Sequence, residues 1–70
     1  MKEQAQKIWD KGNYLISIRY RKYRISLYSL GTDFYEIFYN PYSQEVEWIN
    51  LADQNDMIKY LNRIKLNLEL

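Results

Sequence analysis

Glu36, Glu45 and Glu47 lie at strand-like spacing in a chain of 70 residues, so one sheet face could gather three carboxylates. Such a cluster suits acid–base work, which at neutral pH most often draws on histidine. The chain has no histidine and no cysteine. Ser17, Ser26, Ser29 and Ser43 fall on strands or turns without an activating base, so none is a candidate nucleophile. Arg19 and Arg24 are expected on the same outer face as the three glutamates, and cross-strand ion pairing is the simpler role for all five. Two glycines cannot build a phosphate-cradling loop. The reading is a protein that is not an enzyme, with no catalytic residue and no cofactor site.

Metal chemistry fares no better. Without cysteine or histidine a structural zinc site lacks its ligands. Asp53-Gln54-Asn55-Asp56 is too short for a calcium loop and lacks that loop's glycine and distal glutamate. Asp53 reads instead as a helix N-cap, with Asp56 completing a capping box.

The run Arg19-Tyr20-Arg21-Lys22-Tyr23-Arg24 interleaves four cations with two aromatics. Arginines hold phosphates and tyrosines on a sheet stack bases, so these six are candidate nucleic-acid contacts. The helix–strands–helix order resembles the double-stranded-RNA-binding domain. That family presents lysines at the start of its second helix, where this chain has Asp53 and Asp56, and this chain has a fourth strand. It is assigned to no family, and nucleic-acid binding stands as the alternative function.

The elements that must position these residues are legible from periodicity. Ala5, Ile8 and Trp9 follow helical spacing and Gly12 suits a helix end, predicting a helix over about residues 2–11. Alternation predicts strands over about 13–20 and 23–29, with Arg21-Lys22 as the turn. Tyr20 then faces Tyr23, Ile18 faces Ile25 and Ile16 faces Leu27. Gly31-Thr32-Asp33 reads as the next turn, before a strand over about 34–39. Asn40-Pro41-Tyr42-Ser43 is a turn, and a strand over about 45–50 follows, pairing Tyr39 with Val46 and Ile37 with Trp48. Met57, Tyr60, Leu61, Ile64 and Leu68 form one stripe, with Ile58 at its edge, predicting an amphipathic helix over about 53–68.

The expected architecture is α+β: a four-stranded antiparallel meander with both helices on one face, in one domain spanning 1–70. The covered face would hold Tyr14, Ile16, Ile18, Ile25, Leu27, Ile37, Val46 and Trp48. The opposite face would carry Leu15, Tyr28, Phe34, Phe38 and Ile49 among charges, and such a rimmed apolar patch marks a protein contact. On the last helix, Leu66 and Leu70 fall opposite the core stripe and extend that candidate interface.

Hydrophobic residues make up 47% of the chain, enough for a packed core and too many for a disordered segment. A domain of this size, without disulfide or metal, relies on good packing or on self-association, so a homodimer, or else a contact with another, unidentified protein, is the expected partner state. The net charge of +1 conceals +5 on residues 1–30 and −4 on residues 31–70, which lets the two halves attract. No apolar run approaches the roughly 18 residues of a membrane span, and the start lacks a signal peptide's apolar stretch. A cytoplasmic protein is expected. The abundance of Lys, Asn, Ile and Tyr suggests an AT-rich coding sequence, as in many bacteria and phages.

Overall fold

A computed structural model describes residues 2–68, with side chains for residues 3–61. The order is α1 (Lys2–Lys11), β1 (Asn13–Tyr20), β2 (Tyr23–Leu30), β3 (Asp33–Asn40), β4 (Glu45–Leu51) and α2 (Gln54–Leu68). The strands form one antiparallel sheet in the order β1-β2-β3-β4. Class, element order and meander are as the alternation predicts.

The first hairpin keeps the expected register: Tyr20 pairs with Tyr23, Ile18 with Ile25 and Ile16 with Leu27. Its turn works because Arg21 takes a φ of 57°, the sign that two-residue hairpin turns require at the first central position. A bulge at Leu15 then moves Tyr14 to the other face, opposite Tyr28.

The second turn is one residue shorter than expected. Asp33 pairs with Leu30, leaving only Gly31 and Thr32 between the strands, with Gly31 at φ 65°. Because side chains alternate with period two, that single residue inverts β3. Phe38, not Ile37, shares the face of Ile25, and Glu36 lies beside Leu27. A bulge at Glu47 shifts β4 in turn. Tyr39 still pairs with Val46, but Ile37 pairs with Ile49 and Phe38 with Trp48.

The inversion gives the sheet two apolar faces, and each takes one helix. Ile18, Ile25, Leu27, Phe38 and Tyr60 form the main core, with Ile16, Tyr23 and Met57 packed on it. This is the α2 side. Ile37 is buried on the other face, where Ala5 and Trp9 of α1 border a cleft with Tyr39 and Val46. The expected placement of both helices on one face is thereby corrected: Tyr14, Ile37 and Val46 belong to the α1 side, the other five residues of that set to the α2 side.

Within α1, Ala5 and Ile8 are buried while Trp9 is half exposed. The helix ends where Gly12 donates its N–H to the Ile8 carbonyl at 2.7 Å. A side chain at Gly12 would collide with that carbonyl, its Cβ lying 2.6 Å from the oxygen. Close approach, not a left-handed backbone, is what requires glycine there. Helix α2 opens on a reciprocal capping box. Asp56 N–H donates to Asp53 Oδ1, and Asp53 N–H donates to Asp56 Oδ2, both at 2.9 Å. Leu61, expected in the core stripe, is exposed together with Ile58. Ile64 and Leu68 have side chains outside the described residues.

Candidate functional site

The register lines up an aromatic row across the α2 side of the sheet, at its Arg21-Lys22 end. Tyr20 of β1 pairs with Tyr23 of β2. The Tyr23 ring meets Phe38 edge-on, with centroids 5.4 Å apart. Phe38 stacks on Trp48 at 5.1 Å and an interplanar angle of 24°. Phe38 is the buried keystone; Trp48 at its outer end is 53% exposed, and Tyr20 at the other end is also exposed.

Opposite charges mark the two ends. Arg21 lies over the Tyr20 ring and Lys22 over the Tyr23 ring, each at 5.4 Å, close enough for cation–π attraction. Toward β4 the bulged Glu47 accepts a hydrogen bond from Tyr23 Oη at 3.0 Å and another from Asn40 Nδ2 at 2.8 Å. The Asn40 amide first, and the Tyr23 phenol second, hold the Glu47 carboxyl below its ordinary range. The same bond raises the Tyr23 phenol. Asn40 is itself fixed, its Oδ1 accepting from the Tyr42 N–H at 2.9 Å.

Below the band, α2 is tied down by a polar knot. Glu36 is fully buried, and three groups satisfy it: Tyr60 Oη at 2.5 Å, Asn50 Nδ2 at 2.8 Å and Lys59 Nζ at 3.0 Å. Asn50 Nδ2 also reaches Asp56 Oδ2 at 3.1 Å. The backbone N–H of Asp53 is the main cause holding the Asp56 carboxyl low. Burial, then Glu36, push the Tyr60 phenol far above its usual value. Glu36 was expected outside with Arg19 and Arg24; the shorter Gly31-Thr32 turn carries it inside, to Lys59.

The five sheet residues nominated as an interface do not share one face. Phe34 and Phe38 are on the α2 side, Tyr28 and Ile49 on the α1 side, and Leu15 occupies the bulge. Phe38 is buried, Phe34 and Leu15 are exposed, and Tyr28 and Ile49 are half-buried. The side chains of Leu66 and Leu70 lie outside the described residues. The six candidate nucleic-acid contacts divide as well. Arg21 and Lys22 join Tyr20 and Tyr23 at the band, while Arg19 and Arg24 pair with each other on the α1 side. Sequence reasoning did not nominate Trp48 as exposed or Glu47 as part of the band. The bulge that turns both has no residue signature of its own.

No protein-family model, curated protein or solved structure matches the chain. Among the described residues no helix is long and apolar enough to cross a membrane.

Proposed function

We propose that the protein is a small, non-enzymatic interaction module of the cytoplasm that self-associates as a homodimer through the aromatic band. The observation that carries this reading is the band itself, four strands wide and oppositely charged at its two ends. Aromatic residues and arginine dominate interface hot spots, and Trp48 is a large exposed anchor stacked on a buried ring. A two-fold axis parallel to the strands sets β1 of one copy against β4 of the other. Arg21 and Lys22 of each then face Glu45 and Glu47 of its mate, the self-complementarity that an isologous dimer needs. Exposed Ile58 and Leu61, on the helix of the same side, add apolar area.

Nucleic-acid binding is the weaker alternative. A base stacked on the exposed face of Trp48 would bring its phosphate near the ionised Glu47 of the same strand. Arg19 and Arg24, on the opposite face, do not supply the missing charge there.

Light-scattering mass across a dilution series tests the proposal. The wild-type chain is expected to run as a dimer. Trp48→Ser should weaken association about thirtyfold or more, the equivalent of one ~2 kcal/mol hot spot. Its circular dichroism should stay unchanged. A wild-type monomer at every concentration ends the reading.

A further inference from the structure

Arg19 and Arg24 are direct cross-strand partners on the α1 side, and both are exposed. Like charges directly opposite on a sheet are destabilising. Among the described residues the ion pairs are those of Lys59 with Glu36 and with Asp56, so neither arginine is relieved by a carboxylate. Glu36 and Glu47 are turned to the α2 side, and Glu45, the cross-strand partner of Asn40, lies at the far edge of the sheet. Arg19 and Arg24 border a concavity of about 270 Å³ lined also by Ser17, Ile18, Tyr23 and Pro41.

We propose that Arg19 and Arg24 form a binding site for a phosphomonoester. Cα atoms of directly opposed antiparallel residues are only about 4.5–5.5 Å apart, so both planar forks can converge on one phosphate group. A phosphomonoester carries a charge of about −1.5 to −2 at pH 7, enough to neutralise both arginines, which a carboxylate or a phosphodiester does not do. The hydroxyl of Ser17 lies two residues along the same face. On the other flank Tyr39 is the cross-strand partner of Arg24 on the same face, within reach of the organic part of the ester. Arg19 and Arg24 are on the face away from the aromatic band, while Tyr23 borders both the concavity and the band, so the melting test is run beside a light-scattering mass of the same sample.

The test compares melting temperature in inorganic phosphate with that in chloride at equal ionic strength, then titrates adenosine monophosphate by calorimetry. Phosphate is expected to raise the melting temperature by several degrees. Arg24→Gln should remove that rise and weaken binding about tenfold or more. The same variant should melt higher than wild type in chloride, because the like-charge pair is gone. Tighter binding of the nucleotide than of phosphate, lost in Tyr39→Leu, supports an organic ester as ligand; equal affinity supports phosphate as the recognised group. Identical melting in phosphate and chloride, or a phosphate effect that survives Arg24→Gln, overturns the site.

Discussion

Tyr60 donates its phenolic proton to Glu36 across 24 residues of sequence, at 2.5 Å, in a site closed to solvent on both sides. That bond joins the last helix to the middle of the sheet. A carboxylate in such a place costs several kcal/mol in lost hydration unless partners replace the water. Here Tyr60, Asn50 and Lys59 all do so. The knot thus specifies where α2 lies, while Met57 and the Tyr60 ring supply the apolar contact.

Removing one member of the knot should therefore hurt more than its exposure suggests. Tyr60→Phe keeps the ring and deletes the hydrogen bond to a charged acceptor, at an expected cost of about 1.5–3 kcal/mol. Lys59→Met leaves the carboxylate without its cation and should cost about 3–5 kcal/mol. Urea denaturation measures both, and equal stability of Lys59→Met and wild type would mean that the ion pair does not form.

Stability should fall at both ends of the pH scale for separate reasons. Glu47 and Asp56 have folded-state values below their ordinary 4.5 and 3.8. Their contribution is present above those values and is lost as pH falls through the lower folded ones, because the unfolded chain takes up protons first. Tyr60 and Tyr23 are shifted the other way, above 10.0. Their contribution is present below 10.0 and is lost as pH rises further, because the unfolded phenols ionise first. Melting curves across pH should show Glu47→Gln flattening the acid limb and Tyr60→Phe flattening the alkaline limb. In a spectrophotometric titration Tyr60 should be the last of these phenols to ionise.

Two backbone positions should respond to substitution with opposite signs. Gly12→Ala forces a Cβ against the Ile8 and Ser29 carbonyls and should cost about 1–3 kcal/mol. Gln44 holds a φ of 60° while its N–H donates to the Asn40 carbonyl at 2.7 Å. Gln44→Gly relieves that left-handed backbone and should stabilise by about 1 kcal/mol. Thermal denaturation of the two variants checks both signs.

Much of this architecture can be read from residue order. Alternation located all four strands, and the match of Tyr20 with Tyr23 through Ile16 with Leu27 set the first register despite an unpromising Arg-Lys turn. The Asp53–Asp56 box marked the start of α2. What escaped was parity. Both faces of β3 are apolar enough to be core, so hydrophobicity could not choose between Ile37 and Phe38, and a one-residue difference in turn length decided it. The aromatic band depends on that choice and on the Glu47 bulge, so it became visible only in three dimensions.

The central claim is a dimer in which Arg21 and Lys22 of one copy meet Glu45 and Glu47 of the other. Charge exchange tests it most directly, by sedimentation equilibrium of two variants alone and mixed. Arg21→Glu with Lys22→Glu sets acid against acid across the dyad, and Glu45→Lys sets base against base. Each variant alone should be monomeric at concentrations where the wild-type chain is dimeric, and an equimolar mixture should restore the dimer mass. Two variants that dimerise as well alone as the wild-type chain, or a mixture that stays monomeric, would contradict the account.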